Sequence, residues 1–169
     1  MNTKAKEKKK KSAFDAACDY LNRSERSTKE VRDKLSEKGY DDAEIDEAVQ
    51  KLTELRFLDD HGFTVRYIEY ATAKGRGMRR IRDELRRKGI DSFEVEDAVY
   101  ELSEDGRLSE ESGRERAMEQ ALAIVSGKEI DEKLIAKVGR RLQTQGFESG
   151  EVYFVIGRLR DMQKGTDCV

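Results

Sequence analysis

"VRDKLSEKGY" at residues 31–40 returns as "IRDELRRKGI" at 81–90 and, less closely, as "VGRRLQTQGF" at 138–147. Self-similarity of this kind marks a supersecondary module that buries its apolar face against its neighbours. Val31 and Leu35, Ile81 and Leu85, and Val138 and Leu142 stand four apart, which places each pair on one face of a helix. Gly39, Gly89 and Gly146 follow; a glycine there can take the left-handed conformation that ends a helix, and Tyr40, Ile90 and Phe147 can then pack back on it.

The likeness runs on past the glycine. "YDDAEIDEAVQKL", "IDSFEVEDAVYEL" and "FESGEVYFVIGRL" align Ile45, Val49 and Leu52 with Val95, Val99 and Leu102 and with Val152, Ile156 and Leu159. Each triplet is i, i+4, i+7, the stripe of an amphipathic helix. Asp41 with Glu44, and Asp91 with Glu94, resemble capping boxes that restart the chain; Glu148 and Glu151 form a weaker version in the third copy, and Ser27 with Glu30 opens the preceding helix of the first. Upstream of each pair lies a third helical face: Phe14, Ala17, Cys18 and Leu21; then Phe63, Tyr67, Tyr70 and Ala71; then Ala117, Ala121, Ile124 and Val125.

The pattern predicts an all-α chain of three tandem three-helix repeats, over 13–58, 59–108 and 109–163, forming an elongated, curved helical array. Composition agrees: among 169 residues 41% are charged and 36% hydrophobic, lean for one compact core, and the absence of proline leaves helix permitted throughout. No apolar run approaches the roughly 20 residues that cross a bilayer, and the N-terminal lysines lack the apolar segment of a signal peptide, so a cytosolic chain is expected. Cys18 and Cys168 have no ligand spacing and are expected as reduced thiols. Residues 1–12 are expected as a disordered basic tail carrying Lys4, Lys6, Lys8, Lys9, Lys10 and Lys11, with loose attraction to phosphates or an acidic partner as the functional alternative. Residues 164–169 are expected as a flexible C-terminus.

Three fragments, "LTELRFLDDHGF" at 52–63, "AKGRGMRRIRDELRRKGI" at 73–90 and "RRLQTQGF" at 140–147, resemble in order and spacing the bacterial recombination regulator family RecX, over about residues 13–160. The resemblance implies a non-enzymatic protein of three tandem three-helix repeats that binds the RecA filament along its groove. It further implies limits on filament growth, strand exchange, ATP hydrolysis and coprotease activity, hence a place in homologous recombination, DNA repair and the SOS response. A monomer is expected, partnered by the RecA filament, with single- or double-stranded DNA as a further contact and with no membrane and no cofactor.

Physically, the stretch from Lys74 to Lys88 is the most basic repeat segment. Arg79, Arg82 and Arg86 fall at i, i+3, i+7 and are expected as a solvent-facing stripe beside Ile81 and Leu85, with Arg80 and Arg87 on a neighbouring line. Arginine suits two-pronged grips on carboxylates and phosphates. Arg140 and Arg141, with Arg158 and Arg160, form a second set. Arg76, Arg79, Arg82, Arg86, Arg87, Arg140 and Arg141 are the candidate partner-binding residues, for filament or DNA; a merely solvated helix face is the alternative.

Other features read as structural. Asp59 and Asp60 are expected to cap a helix, since His61 alone lacks the further ligands of a metal site. Tyr67 and Tyr70 are expected in the core beside Phe63, with stacking on bases as the alternative. "AKGRGM" lacks the strand and the lysine ending of a phosphate loop and reads as a flexible hinge. No nucleophile, base and orienting group can be assembled, so no catalytic residue is expected. The rival functional class is a direct nucleic-acid binder built from helix-turn-helix-like repeats, which asks for a basic recognition helix in every copy. The second copy meets that demand, whereas the first is charge-balanced. An adaptor for an unrelated acidic helical partner is a third class.

Overall fold

The computed structural model describes residues 11–166, and among these it holds nine α-helices and no strand. They are α1 (Ala13–Leu21), α2 (Thr28–Glu37), α3 (Asp42–Glu54), α4 (Asp60–Ala73), α5 (Met78–Arg87), α6 (Ser92–Glu104), α7 (Glu110–Val125), α8 (Glu132–Gln145) and α9 (Ser149–Thr166). The lysine run from Lys4 to Lys10, and Cys168, lie outside the described residues. No helix of the described residues is long and apolar enough to cross a membrane. The chain divides into two units, one ending at Phe63 and the other starting at Thr64.

Glycine closes the middle helices as the sequence predicts. Gly39, Gly89 and Gly146 hold φ of +77°, +82° and +86°. The next amide then reaches back: Tyr40 N–H donates to Leu35 O at 3.3 Å, Ile90 to Leu85 at 3.1 Å and Phe147 to Leu142 at 3.1 Å. Tyr40, Ile90 and Phe147 are buried, so the hydrogen-bonded stop doubles as an apolar lock. The restart is equally local. Asp41 and Glu44 exchange side-chain-to-backbone bonds of 2.8 and 3.1 Å, and Asp91 accepts from Glu94 N–H at 3.0 Å. In the third copy only the return half is formed, Glu148 N–H donating to Glu151 at 2.6 Å.

In the first unit α1 packs on α2 and α3, and α2 on α3, around Val31, Leu35, Ile45 and Leu52. Ser27 and Glu30 form the expected capping box of α2. The two aspartates serve different helices: Asp59 accepts from Gly62 N–H at 3.0 Å and caps α4, whereas Asp60 reaches to Thr28 N–H at 2.8 Å and satisfies the first turn of α2. In the second unit α5 packs on α6, and α7, α8 and α9 pack on one another around Ala121, Val138, Leu142 and Phe147.

Two expectations need correction. Of the expected face of α4, Phe63 and Ala71 are buried, but the core side is centred on Thr64, Ile68 and Ala71, which turns the line of the two tyrosines away from it. Tyr70 is therefore 56% exposed, its ring under the Lys74 ammonium at 5.7 Å, while Tyr67 is half-buried. Sequence spacing could not tell which of two overlapping stripes faces the core. The glycines of "AKGRGM" are also no hinge. Gly77 caps α5 without a side-chain hydrogen bond, and its own N–H donates to Gln145 O at 3.0 Å; a Cβ added to it would stand 2.2 Å from the Gly146 carbonyl carbon. The segment is clamped against the end of α8.

Gly77→Ala should accordingly lower the urea midpoint, by the equivalent of about 3 kcal/mol, because backbone rather than a flexible side chain must yield. Gly157→Ala, inside α9 with nothing within 4 Å of the added carbon, should raise it by about 0.5–1 kcal/mol. Urea melts followed by circular dichroism measure both.

Candidate functional site

The arginines of α5 divide into those that hold the fold and those that face solvent. Glu84 is the acceptor at the centre of the first group. It takes Arg76 Nη1 at 2.8 Å, Arg80 Nε at 2.9 Å and the Tyr67 hydroxyl at 2.9 Å. Burial alone would push the Glu84 carboxyl up, but the hydrogen bonds from Arg80 and Tyr67 and the charges of Arg76 and Arg80 outweigh it and hold it below the usual range. Burial, and then the Glu84 carboxylate, raises the Tyr67 phenol. Arg82 bridges two carboxylates, Glu96 at 2.8 Å and Glu148 at 3.1 Å, and its guanidinium is stabilised as a cation mainly by the hydrogen bond to Glu96. Arg79 donates through its side chain to the Gln143 carbonyl near the end of α8, a favourable place for a cation at the negative pole of a helix.

The remainder point outward. Arg86 pairs with Asp83 at 2.5 Å while 78% of its side chain stays exposed. Arg87, Arg140 and Arg141 are exposed and make no ion pair among the described residues. The expected solvent-facing line of Arg79, Arg82 and Arg86 is thus occupied internally at its first two members. Of the second set, Arg160 is held by Glu132 through two bonds of 3.0 Å, and Arg158 is exposed.

The structure joins what the sequence kept apart. Arg79, Arg80, Asp83, Glu84, Arg87, Thr144 and Gly146 line a shallow recess of about 260 Å³ between α5 and the end of α8. Ile124, Lys137, Arg140, Arg141 and Thr144 line a neighbouring one of about 430 Å³. Thr144 belongs to both, so the cations of α5 and α8 border one continuous surface. Lys137 and Thr144 were missed by sequence reasoning; the signal was there in the 137–140–141–144 spacing, which puts all four on one side of α8. Asp83 and Glu84, the acids of this surface, are already committed to Arg86, Arg76 and Arg80. Arg87, Lys137, Arg140 and Arg141 remain for an anionic partner, phosphate or carboxylate.

Helices in repeated trios, with a cationic surface built from two of them, define an all-α helical-repeat protein. Residues 13–52 match the family model described as the first three-helix domain of RecX, and residues 59–99 the model of its second three-helix domain. The chain belongs to the RecX family. It is 43% identical over 58 residues to the regulatory protein RecX of Bacillus licheniformis, across 34% of this chain and 22% of that protein. Against the regulatory protein RecX of Clostridium botulinum (strain Eklund 17B / Type B) it is 38% identical over 55 residues, 32% of this chain and 26% of the relative. These matches therefore span about a quarter of the curated relatives' length. The crystal structure of RecX from Lactobacillus salivarius superposes with a TM-score of 0.75 at 25% identity, covering 88% of this chain and 94% of that one. A second crystal structure of regulatory protein RecX gives 0.74 at 26% identity, covering 86% and 71%.

Glu84 supplies a pH test. Its folded pKa lies below the unfolded value, so the stabilisation it gives is complete above about pH 4.3 and is lost as pH falls through the folded value. Glu84→Gln should cost about 1.5–3 kcal/mol at pH 7, the range for hydrogen bonds to a charged group. Thermal melts of both proteins from pH 7 down into the acid range should show the gap between wild type and variant closing only once pH has fallen below the ordinary glutamate range; a constant gap would mean that the lost interactions are not those of the ionised carboxylate.

Proposed function

We propose that this protein is a non-enzymatic regulator that binds the RecA nucleoprotein filament and inhibits its extension, ATPase, strand exchange and coprotease activity. The regulatory family supports a controlling rather than a catalytic role. The observation that carries the reading is the meeting of the α5 and α8 cations around Thr144, which turns two helix faces of separate repeats into one anion-binding surface. In this reading Arg86, Arg87, Arg140 and Arg141 contact the filament, Arg79 and Arg82 hold α5 in register with the end of α8 and the start of α9, and Arg76 supports α5 through Glu84.

The physical basis of inhibition is multivalency. A repeat protein lying along a filament touches several subunits, and each contact raises the effective concentration of the next. Binding that favours one filament state over another then opposes the changes that accompany ATP turnover. Such a protein would act in the bacterial cytoplasm during recombinational repair and the SOS response.

A second reading is direct nucleic-acid binding, favoured by the same cationic surface. Binding to RecA filaments on single-stranded DNA, beside the same DNA alone, across a salt series and with ATP hydrolysis followed in parallel, separates the two. Preference for the filament with falling hydrolysis supports the regulator; equal binding to bare DNA with a steep salt slope and unchanged hydrolysis supports the nucleic-acid binder. Arg87→Ala/Arg140→Ala/Arg141→Ala should weaken filament binding at least tenfold at unchanged helicity. Where the contacts are to single-stranded phosphate, the slope of log affinity against log salt should also fall by about 2.

A further inference from the structure

The two recesses that meet at Thr144 differ in chemistry. Charged side chains line most of the one between α5 and the end of α8. Its neighbour, of about 430 Å³, falls in the size range of small-molecule pockets and is built otherwise. Ile124 of α7 is half-buried there, while Lys137, Arg140, Arg141 and Thr144 of α8 are exposed around it. Cationic heads thus surround an apolar floor, which the methylene stems of the same lysine and arginines widen. The Thr144 hydroxyl donates to the Arg140 carbonyl at 2.9 Å, so its hydrogen is spent within α8.

No carboxylate of α5 or α8 is left to neutralise these cations. Glu132, the one acid of α8, is held by Arg160, and Asp83 and Glu84 are held by Arg86, Arg76 and Arg80. Arg87, Lys137, Arg140 and Arg141 make no ion pair among the described residues. The fit is to a partner that offers an anion and a flat apolar group side by side. A single strand of nucleic acid does so at every nucleotide, and guanidinium planes stack on its unpaired bases as well as gripping its phosphates. A duplex keeps its bases inside the stack and meets only the cations. An acidic amphipathic helix needs apolar anchors over about two turns, and this recess offers one apolar floor residue.

We infer that the Ile124 recess is a nucleobase subsite for single-stranded nucleic acid, with Arg140 and Arg141 flanking the base and Arg87, across Thr144, taking a neighbouring phosphate. This rests on the reading of the α5 and α8 surface as the partner-binding face and deepens it: that face meets the bases as well as the backbone of a single strand, whether free or within the filament.

Fluorescence anisotropy of the full chain tests it, with a labelled deoxyadenosine strand, an abasic strand carrying the same number of phosphates, and a polyglutamate peptide of equal charge. Wild type should bind the base-bearing strand about fivefold or more tighter than the abasic one, the lower end of what one stacked base contributes. Basic residues elsewhere in the chain meet the phosphates of both strands alike and cancel in the comparison. Ile124→Ala should remove most of that preference at unchanged helicity and leave abasic affinity within about twofold, whereas Ile124→Leu should keep the preference. Equal affinity of wild type for the two strands overturns the inference, as does a preference that survives Ile124→Ala. Polyglutamate bound as tightly as the base-bearing strand overturns it in favour of an acidic protein partner. Failure of the surface reading itself shows separately, in an Arg87→Ala/Arg140→Ala/Arg141→Ala variant that binds every ligand as wild type does, and it removes the inference with it.

Discussion

The end of α8 meets the start of α5 through backbone, and the rest of the second unit is arranged around that joint. Both helix ends arrive with unpaired groups, amides at one and carbonyls at the other. Gly77 N–H donates to Gln145 O at 3.0 Å and Arg79 N–H to Gly146 O at 3.1 Å, so each end satisfies the other, with helix poles of opposite sign in contact. The approach leaves no room for side chains. A Cβ on Gly146 would lie 2.3 Å from that of Arg80, just as one on Gly77 would strike Gly146. The first repeat has Ser27 at the place of Gly77 and caps its helix with a side chain. In the second repeat the carbonyls of another repeat perform that task, and the capping side chain has to be absent.

The joint also explains how one arginine-rich helix serves two purposes. Arg79 and Arg82 extend the contact outward, to the Gln143 carbonyl and to Glu148, so that α5 is fixed against α8 and the first turn of α9. Arg76 and Arg80 converge on Glu84 of the same helix, which also takes the Tyr67 hydroxyl and so ties α5 to α4. Only with these in place do Arg87 and the α8 cations share a surface. α5 in turn packs directly on α6.

Much of this was legible in the residues. The three glycine stops, the apolar residue after each and the aspartate restarts are local devices, set by the chain within a few residues, and each folds as its spacing predicts. On α4 the expectation holds for Phe63 and Ala71 and fails for Tyr67 and Tyr70, because Thr64 and Ile68 make an overlapping helical face and packing gives them the core places. "AKGRGM" misled for a related reason. Glycine signals either freedom or close approach, and the sequence alone does not say which.

The sequence by itself determined the all-α class, the repeated three-helix pattern and the helix ends, because periodicity and capping act over distances shorter than one turn of loop. It also put the basic residues on α5 and α8. Tertiary structure alone decided that Arg82 is bound within the protein while Arg87 faces outward, since Glu96 and Glu148 reach Arg82 from 14 and 66 positions along the chain. Side-chain pairing at that separation depends on how helices pack, and no spacing rule carries it.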